Sequence, residues 1–245
     1  MKRYSTFFAV CLVLVSASVA LAHKPIFVEP RSNVTRETAI RIASAEVSWA
    51  VYAQLSQPGE VGYYTFSGKR GMQVEIMISV PKIDSTRDYG VTVALIGRGL
   101  NRGESQTALP LRDGDGFVSA PDSAHDETKV FNEEFTGTVY WTRQTLGATL
   151  PADDTYTIAV FNERGQTGKY VLAIGKREEF GVQDVVDFVR VRARVQQWFE
   201  RPLEDAKHTP NTADAHESGN NNGALIALGL AAALGLGIVV LRRRR

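Results

Sequence analysis

Between residues 46 and 175 the hydrophobic period of this chain is two, and that constrains its fold more than any other feature. Met72, Val74, Ile76, Ile78 and Val80 alternate with Gln73, Glu75, Met77 and Ser79. Successive side chains of a strand point to opposite faces, so the first set is expected in a core. Val91, Val93 and Leu95 repeat the pattern, as do Tyr156, Ile158 and Val160, and then Tyr170, Leu172 and Ile174. Turn signals punctuate these runs: Pro58-Gly59, Gly68 to Gly71, Pro151 to Asp154, and Glu163 to Gly168. Strands at this spacing, with Gly and Pro between them, predict an all-β fold of antiparallel strands, a jelly-roll-like β-sandwich. Residues 97–126 break the rhythm, being rich in Gly, Asp, Ser and Pro. A connection this long is unusual in a compact domain and marks the first place to look for binding.

The two ends carry address signals. Met1-Lys2-Arg3, an apolar run from Phe7 to Val15 and Ala20-Leu21-Ala22 form the three parts of a signal peptide, 1–22. Cleavage there leaves His23 as the new N-terminus. The single cysteine, Cys11, lies within the apolar run, so the mature chain is expected to hold no disulfide. Residues 223–241 carry no charged side chain, and four arginines follow at 242–245. Nineteen helical residues at ~1.5 Å each span roughly 28 Å, about one hydrocarbon core. A basic tail resists translocation. The expected topology is therefore single-pass in the cytoplasmic (inner) membrane, with the N-terminus outside and an ectodomain in the periplasm or at the cell exterior. Gly229, Ala233 and Gly237 fall four apart, a stripe that lets membrane helices approach closely. It makes a homo-oligomer through that helix one expectation. A processing site at Gly219 to Gly223 is another reading of the same tail.

Residues 23–222 hold all 27 acidic side chains, whereas six of the 28 basic ones (Lys2, Arg3 and the four tail arginines) lie outside, so the exported part carries about −5. A surface of that sign disfavours nucleic acid as a partner.

The segments Gly62 to Phe66 with Gly71 to Ile76, Tyr89 to Leu95, and Leu150 to Val160 with Thr167 to Leu172 together resemble the bacterial pre-peptidase C-terminal domain. The resemblance covers residues 46–175 and rests on structural motifs. It implies a small jelly-roll-like sandwich, acting as an accessory module beside secreted enzymes or surface proteins and in some cases binding polymers or calcium. Unlike that family's usual setting, no protease is joined to this sandwich. The expected division is a β-sandwich over 23–176, an amphipathic helix over 177–202, a flexible linker over 203–222 and the membrane helix.

After Gly175 the period changes to that of a helix. Gln183, Asp187, Arg190, Arg194, Gln197 and Arg201 form a polar stripe, with Phe188, Val195 and Phe199 opposite and Val185, Val191 and Trp198 flanking them. Such a helix packs on a sandwich. It also suits a bilayer interface, with Arg190, Arg194, Trp198 and Phe199 as the contacts, or a protein partner.

No nucleophile elbow, His-Glu-x-x-His or phosphate loop is found in the sequence, so no enzyme is expected, and no cofactor is demanded by it. Two metal readings stay open. Asp113, Asp115, Asp122 and Asp126 could gather oxygen ligands for calcium, in a calcium-dependent adhesion module, although Phe117 stands where an EF-hand needs a ligand. His23, as a mature N-terminus, could join His125 in a periplasmic copper-binding or redox protein. The leading expectation is a non-catalytic, membrane-tethered module that binds a protein partner or an envelope polymer.

Overall fold

The computed structural model describes residues 23–101, 103, 107–123, 129–179 and 182–203. The expected leader, His125, Asp126, nearly all of the linker, and the apolar stretch with Gly229, Ala233 and Gly237 lie outside the described residues.

Eleven strands build two packed sheets. One holds β1 (Lys24–Phe27), β3 (Trp49–Leu55), β11 (Gly168–Ile174), β5 (Gln73–Pro81), β9 (Thr138–Thr149) and β8 (Lys129–Glu133), in the order β1-β3-β11-β5-β9-β8. The other holds β2 (Ile40–Arg41), β4 (Val61–Gly68), β10 (Asp154–Phe161), β6 (Thr92–Arg98) and β7 (Asp115–Ala120), in the order β2-β4-β10-β6-β7. The alternation read from the sequence is the core of this sandwich. Val74, Ile76, Ile78 and Val80 are buried against Val91, Val93, Leu95, Ile158, Val160 and Leu172, while Met72 sits half-buried at the margin. Within that core the Tyr64 and Tyr170 hydroxyls meet at 2.7 Å, so two fully buried phenols satisfy each other.

The pairing departs from the all-antiparallel expectation at two edges. β1 runs parallel to β3, and β2 runs parallel to β4. β9 also carries an irregularity opposite Ile78 and Ser79, where Gln144 and Thr142 are the partners and Arg143 is the extra residue. A bulge of this kind re-aims the side chain it adds. Here Arg143 donates to the Thr86 and Arg87 carbonyls at 2.8 and 2.7 Å, beside the 3-10 turn Asp84–Thr86.

Both outer faces are covered in part. On the five-stranded sheet, Tyr63, Ala94, Ile96, Phe117, Ala159 and Phe161 form a second apolar layer, against which Leu109 and Leu111 pack. The stretch expected as a long open connection thus contains β7 and supplies this cover. Leu109 and Leu111 pack there because the sheet's outer face carries this apolar layer.

On the six-stranded sheet the cover is helix α1 (Val182–Glu200). Val195 is buried among Ala50, Tyr52, Tyr140 and Val171. Trp198 meets Tyr52 edge-on with ring centres 5.1 Å apart, and Phe199 meets Tyr140 likewise at 5.5 Å. Buried Lys169 donates to the Trp198 carbonyl at 2.5 Å and to the Arg201 carbonyl, which satisfies acceptors that a helix end leaves open. Trp198 and Phe199 thus place their rings against the sheet. Arg194 lies over the Phe27 ring at 4.2 Å, and exposed Arg190 pairs with Asp187 at 3.3 Å. Among the described residues no helix is long and apolar enough to cross a membrane.

Candidate binding cleft

The outer face of the six-stranded sheet is bare at one end. Because Val74, Ile76, Leu146 and Ala148 face the core, Gln73 and Glu75 of β5, and Gly147 and Thr149 of β9, face outward. The register sets Gln73 against Thr149 and Glu75 against Gly147. Beyond the end of β11, Gly175 turns the chain with φ +83°, and a Cβ there would lie 2.0 Å from the Val47 carbonyl oxygen. Only glycine fits such an approach in that conformation. The turn lays residues 176 and 177 along the strand that leads into β3. The Lys176 and Arg177 N–H groups donate to the Glu46 carbonyl at 3.1 and 2.9 Å, and Ser48 N–H donates to the Arg177 carbonyl at 2.9 Å.

These elements enclose an open cleft of about 650 Å³, whose lining includes Glu46, Gln73, Glu75, Gly147, Lys176 and Arg177. That volume suits several linked polar rings or residues of a chain. Its charges are balanced across it. Lys176 pairs with Glu75 at 2.9 Å, and Arg177 reaches Glu46 at 3.7 Å and Glu179 at 2.8 Å. All of these side chains are roughly half or more exposed. Exposed pairs of this kind hold only about 0–1 kcal/mol each, so they can exchange partners with a ligand at little cost.

Gly147 is the residue the fold itself does not explain. Its backbone lies outside the left-handed region, and a Cβ placed on it would meet nothing within 4 Å. Glycine inside a strand costs roughly 0.5–1 kcal/mol relative to alanine. A strand glycine with open space above it fits the close approach of another molecule. A second recess, between Phe27, Lys169 and Trp198, holds about 90 Å³. That is room for about three waters, too little for a polymer.

The residues singled out in the sequence lie elsewhere. Asp115 opens β7 and Asp122 lies beyond its end, seven residues on, which is roughly 20 Å in an extended chain. Each has its own cation: Arg36 holds Asp115 at 2.9 Å, and Arg164 pairs with Asp122. Asp113 is exposed in the turn before β7. Asp115 and Asp122 thus lie at opposite ends of one strand, and Asp126, the fourth residue of the calcium reading, lies outside the described residues. His23 stands at the start of β1, its Nδ1 2.5 Å from the Ser48 hydroxyl. Burial lowers its affinity for a proton, while the nearby Glu133 and Glu178 oppose that shift. Its proposed copper partner, His125, lies outside the described residues. Among the described residues no three His, Cys, Asp or Glu side chains gather as a metal site.

No protein-family model matches the chain, and no curated protein matches it in sequence. Among solved structures it is similar to PliG of Aeromonas hydrophila, a periplasmic inhibitor of g-type lysozyme. Identity there is 15%, covering 62% of this chain and 95% of that one, with a TM-score of 0.27. The pre-peptidase C-terminal domain of a Bacillus anthracis collagenase is also similar, at 14% identity, 55% and 91% coverage and a TM-score of 0.28. So is CorA of Methylomicrobium album BG8, a surface-associated copper-binding protein, at 11% identity, 64% and 99% coverage and a TM-score of 0.24. Similarity at this level carries no argument, and the sandwich stands on its own strand pairing.

Proposed function

We propose that this chain is a non-catalytic binding module of the cell envelope, tethered by residues 223–241 with its sandwich outside the cytoplasm, and that it holds a polar envelope polymer in the cleft around Gly147. The observation that carries this reading is Gly147 itself, a strand glycine that nothing in the fold crowds, at the floor of a charge-balanced cleft. The cleft offers carboxylates and cations side by side, and among the described residues no aromatic ring lines it. It therefore favours a polymer that carries both amino and carboxyl groups, such as a glycan with peptide side chains, over a neutral sugar chain that would stack on rings. The tether follows from the sequence alone: an uncharged run of about one bilayer's length ending in four arginines.

The test is co-sedimentation of the full-length protein, in detergent, with purified cell-wall sacculi. Glu75→Ala and Lys176→Ala are each expected to weaken binding by about tenfold, the effect of losing roughly 1.4 kcal/mol of contact. Both side chains are exposed, so the fold should survive. Retention on sacculi that neither substitution changes would refute the cleft as the site.

A further inference from the structure

The six-stranded sheet ends in a strand that is unusually open. β8 pairs only with β9 in the sheet order, and Lys129, Val130, Phe131 and Asn132 are all exposed. Val130 and Phe131 are 49% and 42% exposed. As neighbours in a strand they point to opposite faces, so the middle of β8 shows apolar surface on both. Among the described residues no strand pairs with its outer edge, which therefore offers the N–H and C=O groups of an open ladder. The other sheet edges are better protected. β1 contains Pro25, which has no N–H to offer, and is half-buried throughout. β2 has two residues, and β7 is largely covered and tied by the ion pair at Asp115.

We infer that the occupant of this edge is a second copy of the chain, its β8 paired antiparallel to the first about a two-fold axis at Phe131. The charge pattern of the strand argues for this. Antiparallel pairing in that register sets Lys129 against Glu133 of the partner copy at both ends, Val130 against Asn132, and Phe131 against Phe131. In-register parallel pairing would oppose lysine to lysine and glutamate to glutamate, which is unfavourable directly across strands. An isologous contact also closes on itself, so it ends at a dimer rather than growing into a fibre. Glu133 already accepts from the Phe135 and Thr136 N–H groups, which holds its carboxylate at the end of β8. The interface uses the 138–142 end of β9, whereas the cleft uses the 147–149 end. A dimer thus presents two clefts, and either proposal can fail without the other.

The test uses the full-length chain in detergent with Cys11→Ser as background, so that an introduced cysteine is unique. Phe131→Cys is expected to give a covalent dimer on mild oxidation, because the axis brings residue 131 against its own copy. Asn132→Cys, which faces Val130 of the partner, is expected to cross-link far less. Adding Lys129→Glu to Phe131→Cys should cut the cross-linked fraction several-fold, because it sets glutamate against Glu133 of the partner copy. Thermal melts of each variant check that it is folded; all three positions are exposed, so folding is expected. Folded Phe131→Cys that stays monomeric under oxidation would overturn the inference. So would a dimer by sedimentation that does not cross-link at 131, or cross-linking of 131 to a different polypeptide.

Discussion

Arg36 and Asp115 meet at 2.9 Å with their side chains 6% and 7% exposed, a buried ion pair between the segment before β2 and the first residue of β7. The same guanidinium donates to the Pro110 carbonyl at 2.6 Å and to the Thr157 hydroxyl at 3.2 Å. Asp115 also accepts the Arg112 N–H at 3.0 Å. The pair therefore fastens residues 107–114 over the five-stranded sheet, where Leu109 and Leu111 pack on the outer apolar layer that contains Phe117 and Phe161.

Removing one partner of a buried pair leaves the other charge uncompensated, a loss of about 3–5 kcal/mol. Asp115→Ala is expected to destabilise the protein on that scale in urea unfolding. Asp113→Ala, in the exposed turn two residues earlier, should stay within about 0.5 kcal/mol. Millimolar calcium should leave the melting temperature of the parent protein unchanged, because Asp115 and Asp122 are apart and already paired.

Lys169 anchors the far end of α1. Its ammonium reaches the Trp198 and Arg201 carbonyls and lies 5.4 Å from the Trp198 ring centre. Lys169→Met keeps the stem and removes the donors. Hydrogen bonds to a charged group are worth about 1.5–3 kcal/mol, and a loss of that order is expected. Hydrogen exchange should rise first at residues 195–201, ahead of the sheet.

Burial holds the His23 imidazole below its usual value of 6.5. The unfolded chain then binds a proton more readily than the folded one. The stability this contributes is present above pH 6.5 and is lost as pH falls from there through the lower folded-state value. His23→Gln keeps a polar partner for Ser48 and is expected to flatten the melting-temperature profile in that window. An identical slope in both proteins would remove His23 as its source.

Much of the sandwich was legible because alternation is a local signal. Val74 to Val80, and the inward residues of β10 and β11, sit where their period of two places them, although those last two strands lie in opposite sheets. β7 hid behind Asp113-Gly114-Asp115-Gly116, a turn-like run whose last two residues are already strand. β8 escaped notice because a strand exposed on both faces has no reason to alternate. The second apolar layer was equally invisible: Ala94, Ile96 and Phe161 fill the polar phase of the pattern, and only the packed sheet shows what covers them. The cleft is non-local throughout. Glu75 and Gly147 come from β5 and β9, Glu46 and Lys176 from the segments before β3 and after β11, and they meet only through the sheet's register. Its one trace in the sequence is a glycine within Thr145-Leu146-Gly147-Ala148-Thr149, inside a strand.

That glycine also gives the most direct measurement. Gly147→Tyr places a ring where no atom lies within 4 Å of the new Cβ, so the cleft fills while the strand stays in register. Co-sedimentation of full-length parent and variant with cell-wall sacculi, each checked by thermal melting, compares them. The account predicts that the variant melts close to the parent and loses most of its binding. A folded Gly147→Tyr protein that binds sacculi as well as the parent would contradict it.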